Sequence, residues 1–115
     1  MSRDWLLYLD DLIASAQKIG RMTAGLTQTE FVHDEAAFDA VLFNLQVIGE
    51  AIKRLPDECR NQLPEAHRSA PARMRDLIAH HYFAIDADII WDVVSHHVPA
   101  LLRDALLAHG VPAAQ

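Results

Sequence analysis

The sequence predicts an all-α protein, a compact four-to-five-helix bundle formed by one domain over residues 1–115. Apolar residues recur at three- and four-residue steps along most of the chain, and no segment shows the two-residue alternation of a strand. The chain is 51% hydrophobic and contains only four glycines, as folded globular proteins do. Its 115 residues suffice for one hydrophobic core and are too few for two.

Capping residues mark the helices of the N-terminal half. Ser2 is a candidate N-cap for a first amphipathic helix, which Gly20 or Gly25 would stop. The segment Thr27–Glu30 has the pattern of a capping box and predicts a short helical turn. A long helix should then run from Asp34 to Leu55, with apolar residues on more than one stripe. Such a helix would contact neighbours on two sides.

Proline residues divide the C-terminal half. The stretch Pro56–Pro71 contains three prolines and predicts a connector that holds one short helix. A third helix is expected from Ala72 to about Tyr82, and Asp86 should cap a fourth. Pro99 should kink that fourth helix or divide it in two. Residues 110–115 are expected to form a frayed tail.

Charge and cysteine content exclude several classes of protein. The formal net charge of -6 and the pI of about 5.5 argue against broad, charge-driven binding of nucleic acid, although a small phosphate site is still compatible. Cys59 is the only cysteine, so neither an internal disulfide nor a cysteine-based zinc site can form. The first residues, Met1–Trp5, lack the features of a signal peptide, and no uncharged apolar run is long enough to span a membrane. We therefore expect no membrane partner and a cytoplasmic location.

The segment Arg75–Tyr82 concentrates the reactive side chains of the sequence. It holds an arginine, an aspartate, two histidines and a tyrosine within eight residues. Arginine grips phosphate through a planar fork of donors, and histidine is the side chain whose unperturbed pKa lies close to physiological pH. These are the groups that a protein needs to cut RNA without a metal ion.

A helical wheel at about 100° per residue separates the two sides of this segment. The apolar side contains Met74, Leu77 and Ile78. His81 falls on that same side, whereas Asp76 and His80 lie opposite and Arg75 lies at the edge of the open side. His80 is therefore the better catalytic candidate of the two histidines. Asp76 is four residues before His80 and could orient its imidazole.

Each polar residue of the segment suggests a role. Arg75 could hold the scissile phosphate and stabilise its developing charge, and Tyr82 could stack on a base or bond to a phosphate. Taken alone, a cluster of this kind is more often a solvated helix face carrying surface ion pairs than a catalytic site. Chemistry by itself therefore leaves both alternatives open.

A resemblance to a known family bears on that choice. The segment Met74–Phe83 resembles the Arg-x-x-x-x-His-x-Tyr signature of the HepT-like branch of the HEPN superfamily, small all-helical ribonuclease toxins of prokaryotic toxin–antitoxin operons. The segment Ile48–Leu55 resembles the second-helix motif of that family, and Ile85–Asp92 resembles the run just after its active site. The segment Pro64–Pro71 departs from the family's usual Pro-Glu-Ile-Pro-Trp pattern, which puts the shape of the connector in doubt.

The resemblance implies a HEPN-type bundle and a metal-independent endoribonuclease toxin of a type VII-like toxin–antitoxin module, without a cofactor. It places the catalytic residues at Arg75 and His80, with Asp76 in support. It makes Tyr82 the residue that a cognate minimal nucleotidyltransferase antitoxin modifies with AMP. Family members are homodimers, and cleavage of the RNA substrate by 2′-hydroxyl transesterification needs both a base and an acid, which a composite site between two copies would supply.

Other polar residues allow further interpretations. The histidines could suggest a metal site (His80, His81, His96 and His97), but adjacent histidines point about 100° apart on a helix and other ligands are sparse, so we expect none. Glu50 could be a buried partner for Arg75 or a capping carboxylate, or equally a surface glutamate near Lys53 and Arg54. The alternative to an enzyme is a non-catalytic helical HEPN module that binds nucleotides or a partner protein.

Overall fold

A computed structural model of the chain, which describes residues 4–81 and 85–110, is helical throughout that part. The helices are α1 (Asp4–Thr23), α2 (Gln28–His33), α3 (Glu35–Arg54), α4 (Asp57–Arg60), α5 (Glu65–His81), α6 (Ala87–Asp92) and α7 (Val98–His109), with a π-helical turn (Val93–His97) between the last two. Because α6, the π-helical turn and α7 follow one another without a break, the described residues form four long helices and two short ones. The predicted all-α bundle is confirmed. No helix of the described residues is long and apolar enough to cross a membrane.

Local capping begins several helices where the sequence predicts. The Thr27 hydroxyl accepts a hydrogen bond from the Glu30 backbone N–H at 3.1 Å, and the Glu30 carboxylate accepts one from the Thr27 N–H at 2.9 Å, completing the capping box of α2. Asp34 and Asp86 cap α3 and α6 through their carboxylates. Gly25 has a φ of 77° just after α1, a conformation that glycine adopts without strain. The predicted Ser2 cap and the chain beyond Gly110 lie outside the described residues.

The core forms where α3 packs against both α1 and α5 and α7 packs against α1 and α5. Its fully buried side chains come from all the long helices and include Leu9, Leu12, Ile19, Leu45, Ile48, Met74, Ile90 and Leu101. Cys59 is also buried, and burial raises the pKa of its thiol. The central position of α3 explains why apolar residues cover more than one of its stripes.

An aromatic cluster fixes the short helix α2 against its neighbours. The Phe31 ring is fully buried, and its centroid lies 5.4 Å from that of Phe38 and 5.3 Å from that of Trp91. Tilted aromatic pairs at this separation stabilise a contact beyond the apolar area they bury. The Gln28 side chain also donates a hydrogen bond to Asp88, so α2 is joined to α6 by polar and apolar contacts.

The predicted start of the third helix at Ala72 was wrong. Helix α5 begins at Glu65, and the Pro64 carbonyl accepts its first hydrogen bond, from the Arg68 N–H at 3.0 Å. Pro71 therefore lies within the helix instead of before it. Proline costs a helix one hydrogen bond but does not always end it, and tertiary packing of α5 on α3 outweighs that loss. The predicted connector shortens to the segment around α4.

Pro99 divides the last long helix, as predicted, and the division takes the form of the π-helical turn. Pro99 has no N–H to donate to the carbonyl four residues earlier, and its ring would collide with that carbonyl in a regular helix. The Val98 N–H bonds instead to the Val93 carbonyl, five residues back. The wider turn accommodates the proline while keeping Val93, Val94 and Val98 buried in the core.

Candidate active site

Helix α5 presents its polar residues to solvent on the side that the helical wheel predicts. Met74 and Ile78 are buried, with 2% and 5% of their surface exposed. Asp76 and His80 are exposed, and Arg75 is intermediate. The side chains of Leu77 and His81, and the whole of Tyr82, lie outside the described residues. The open face of α5 therefore carries Arg75, Asp76 and His80 together.

The guanidinium group of Arg75 is held by two carboxylates. Its Nε forms an ion pair with Glu50 Oε2 at 3.0 Å, and its Nη1 donates a hydrogen bond to Asp76 Oδ1 at 2.8 Å. Neither contact uses Nη2 within the described part of the chain. The sequence predicted that Asp76 could orient His80, whereas in the structure Asp76 bonds to Arg75. The arrangement fixes the arginine while leaving donors for a further anion.

Glu50 combines two of the roles that the sequence left open. Its Oε1 accepts a hydrogen bond from Arg54 Nε at 3.1 Å, while Oε2 forms the ion pair with Arg75, so one carboxylate contacts two guanidinium groups. Its side chain is 40% exposed, so Glu50 is a half-exposed partner of both arginines and is not buried. The hydrogen bond from Arg54, followed by the charges of Arg75, Arg54 and Lys53, lowers the pKa of Glu50 against the opposing effect of desolvation. Glu50 is therefore an anion at neutral pH.

These residues line an open groove of about 490 Å³ between α1, α3 and α5. Its polar lining consists of Tyr8, Asp11, Gln46, Glu50, Arg54 and Arg75. Across the groove from Arg75, the Arg54 guanidinium carbon lies 5.7 Å from the centre of the Tyr8 ring, a cation–π distance. A polar cleft of this size, containing two arginines, can receive a phosphodiester.

Sequence analysis missed Arg54 and Tyr8 as members of the site. The spacing of Glu50 and Arg54 on one face of α3 was a usable signal, because residues four apart on a helix are neighbours. No pattern in the sequence links Tyr8 to that face, since the contact depends on how α1 packs on α3.

His96, His97 and His109 each lie beside a carboxylate. His96 Nδ1 lies 3.0 Å from Asp92 Oδ1, and His97 Nε2 lies 3.7 Å from Asp92 Oδ2. His109 Nε2 lies 2.7 Å from Asp10 Oδ1. Across residues 4–81 and 85–110, no three histidine, cysteine or carboxylate side chains are grouped so that they could hold a metal ion.

A known protein family matches most of the chain. The family described as "Ribonuclease HepT-like" matches residues 12–106, most of the chain and all of the groove except Tyr8 and Asp11. The chain belongs to the HepT-like ribonuclease family. This confirms the family that the Arg75–Tyr82 segment indicated.

Relatives of this HepT-like chain carry ribonuclease names. A Methanocaldococcus jannaschii protein named "Putative RNase MJ0127" is 39% identical over 102 residues, covering 89% of this chain and 84% of the relative. A Thermococcus cleftensis protein named "Probable ribonuclease HepT" is 33% identical over 101 residues, covering 88% of this chain and 92% of the relative. No solved structure matches the chain significantly. The HepT-like site is therefore described from its own geometry.

Proposed function

We propose that this HepT-like protein is a metal-independent endoribonuclease in which Arg75 binds the scissile phosphate and His80 transfers protons. The observation that carries the proposal is the placement of Arg75, fixed by Glu50 and Asp76 at the edge of an open groove, with exposed His80 on the same helix. The chemistry of these two side chains, together with membership of a ribonuclease family, supports RNA as the substrate.

Cleavage in this proposal is a transesterification within the RNA. A histidine takes the proton of the ribose 2′-hydroxyl, and the 2′-oxygen forms a bond to the neighbouring phosphorus. The bond from phosphorus to the 5′-oxygen breaks, and that oxygen receives a proton from an acid. Arg75 stabilises the charge that builds on the phosphoryl oxygens through its planar donors. The products are a 2′,3′-cyclic phosphate and a 5′-hydroxyl.

Two proton-transfer groups are needed, and each chain offers one exposed histidine on the active face of α5. A two-fold homodimer that faces the two α5 helices across one cleft would supply both, one from each copy. A stable interface of this kind buries about 800 Å² per partner. We propose this composite dimer site as the functional unit, in place of a single chain.

We further propose control by a cognate minimal nucleotidyltransferase antitoxin, which would transfer AMP to Tyr82. The signature segment places Tyr82 two residues after His80. A nucleotide attached there adds a negative phosphate that can compete with RNA for Arg75. This would make the protein the toxin of a toxin–antitoxin module.

Incubation of the purified protein with a single-stranded RNA in EDTA tests the proposal. We expect cleavage with 2′,3′-cyclic phosphate ends, no cleavage of the same sequence made as DNA, and a dimer by light scattering at micromolar concentration. Cleavage that requires added metal, or that leaves 3′-hydroxyl ends, would contradict the mechanism. Intact RNA in the presence of a folded dimer would favour the non-catalytic helical binding module instead.

A further inference from the structure

We propose that Arg54, carried on the ring of Tyr8, binds a second phosphate of the RNA strand, next to the phosphate that Arg75 holds. The inference rests on the proposed ribonuclease function and adds a substrate subsite to it. Arg54 and Arg75 line the same groove from different helices, α3 and α5. The ligand of the subsite is a phosphodiester of single-stranded RNA.

The bridging carboxylate of Glu50 sets the spacing of the two arginines. Its Oε1 accepts a hydrogen bond from Arg54 Nε at 3.1 Å, and its Oε2 lies 3.0 Å from Arg75 Nε in an ion pair. Both guanidinium groups therefore lie beside one carboxylate in the same groove. Both Nε atoms contact Glu50 and Arg75 Nη1 donates to Asp76, so a ligand would be reached by Arg75 Nη2 and by a terminal nitrogen of Arg54.

Arg54 has the exposure and charge that a phosphate ligand requires. Its side chain is 56% exposed, and its contacts with Tyr8 and Glu50 raise its pKa, so the guanidinium is always charged. The Tyr8 ring, whose centre lies 5.7 Å from the Arg54 guanidinium carbon, restricts the side chain. An arginine that is already ordered loses less conformational entropy when it binds an anion.

Arg54 offsets part of the negative charge in the groove. The carboxylates of Glu50 and Asp76 contact Arg75, that of Asp11 lines the same groove, and the chain as a whole carries a net charge of -6. If Arg75 were the single cation of the groove, these negative charges would repel a polyanion such as RNA. Among the described residues that line the groove, Arg54 is the other cation. It offsets this repulsion where the strand must enter.

The alternative to a phosphate subsite is a surface ion pair between Glu50 and Arg54 that has no role in RNA binding. The two explanations predict different effects of Arg54 on RNA binding. Such i,i+4 pairs contribute little to stability and have no effect on a ligand. They also do not require the Tyr8 ring or the shared groove. A measurement of RNA binding therefore separates the two explanations.

The test compares wild type, Arg54→Gln and the control Arg103→Gln in two assays. The first measures binding of an uncleavable 2′-O-methyl RNA oligonucleotide at several salt concentrations, and the second measures cleavage of the matching RNA. Arg103 is exposed on α7, and its substitution removes the same charge away from the groove. For Arg54→Gln we expect binding weakened about tenfold and a raised KM, with kcat changed less than twofold. The slope of log affinity against log salt should fall by about 0.7, the value for one phosphate contact on a single strand.

A second variant, Arg54→Lys, distinguishes loss of the subsite from a folding defect in Arg54→Gln. Arg54→Lys keeps the charge but lacks the planar fork, and we expect it to restore the salt slope while restoring affinity only in part. If wild type cleaves RNA and Arg54→Gln matches Arg103→Gln in KM and in salt slope, the subsite is refuted while the ribonuclease function stands. If wild type binds but does not cleave, and Arg54→Gln alone loses the slope, the subsite stands and the function fails. Wild type that does not bind the oligonucleotide refutes both.

Discussion

Glu50 Oε2 and Arg75 Nε form an ion pair at 3.0 Å, which joins the middle of α3 to the polar face of α5. The same carboxylate holds Arg54 through its other oxygen, so it cannot follow Arg75 freely. Glu50 is therefore a positioning residue for the arginine that we place on the scissile phosphate. It acts through Arg75, without a contact to the substrate.

Replacement of Glu50 should reduce cleavage without unfolding the protein. Glu50→Gln loses the charge that fixes Arg75, and we expect kcat/KM to fall about tenfold, the effect of losing one charge-assisted hydrogen bond. Single-turnover cleavage of a short RNA measures this, with Glu58→Gln, an exposed glutamate of α4, as the control. Glu50→Asp should recover less than half of the loss, because its shorter side chain cannot reach both arginines. Full activity in Glu50→Gln would remove the positioning role.

His80→Ala and Ile78→Ala should separate catalysis from stability on one helix. His80 is exposed, so its removal should abolish RNA cleavage and toxicity while leaving the thermal midpoint within experimental error. Ile78 is buried, so its truncation should lower the free energy of unfolding by about 2–5 kcal/mol while cleavage at low temperature persists. Thermal melts and cleavage assays on both variants provide the comparison. A His80→Ala protein that still cuts RNA would show that another group transfers the proton.

The sequence was sufficient for local features and insufficient for contacts between distant segments. Thr27 and Asp86 cap their helices as predicted, and Asp34 caps α3 at the predicted start of that helix, because capping depends on residues within one turn. The start of α5 was wrong because proline within a helix is tolerated when packing compensates, and packing cannot be read from a local pattern.

The same limit applies to the site. Periodicity alone placed Asp76 and His80 on the open side of α5, since that depends only on 3.6 residues per turn. The Tyr8 contact to Arg54 joins α1 to α3, and the Glu50 contact to Arg75 joins α3 to α5. Neither can be derived without the angle and register at which these helices pack.

Arg75→Lys should be strongly impaired although it keeps the positive charge. Lysine has no planar fork, so it cannot bond to Glu50 and Asp76 while also holding a phosphate. We expect cleavage to fall by about 100-fold, the scale seen when one donor to a developing oxyanion is removed. The conservative change Arg73→Lys, an exposed arginine on the same helix, should leave the rate unchanged. Near-normal cleavage by Arg75→Lys would make Arg75 a simple point charge.

Acid should weaken the Glu50 contacts only below the ordinary pKa of a glutamate. Arg54, as hydrogen-bond partner, and then Arg75 lower the pKa of Glu50 from 4.5. A carboxyl group with a lowered folded-state pKa contributes stability above its unfolded pKa and loses that contribution as the pH falls through the folded-state pKa. The difference in thermal midpoint between wild type and Glu50→Gln should therefore be small, constant above about pH 5, and smaller still toward pH ~3.

Circular dichroism melts of wild type and Glu50→Gln over that range measure the difference directly. Glu58→Gln serves again as the control, because Glu58 is exposed and its carboxylate forms no ion pair with the other described residues. A midpoint difference that changes between about pH 6 and pH 7 would mean that another group, and not Glu50, titrates in the contact.

Attachment of AMP to Tyr82 is the remaining prediction, and the composition of the chain makes it unusually clean to test. Tyr8 and Tyr82 are the only two tyrosines, so two single variants account for every possible acceptor of that type. Co-expression with a cognate nucleotidyltransferase and ATP should raise the intact mass in steps of one AMP in wild type and Tyr8→Phe, and not in Tyr82→Phe. Modified wild type should no longer cut RNA, because the attached phosphate competes for Arg75.

Tyr8 is the alternative acceptor. It already contacts Arg54 within the groove, so AMP on Tyr8 would also obstruct RNA, and the intact masses of Tyr8→Phe and Tyr82→Phe distinguish the two sites. Mass steps that persist in Tyr82→Phe, or a modified protein that cleaves RNA at the full rate, would overturn this control mechanism.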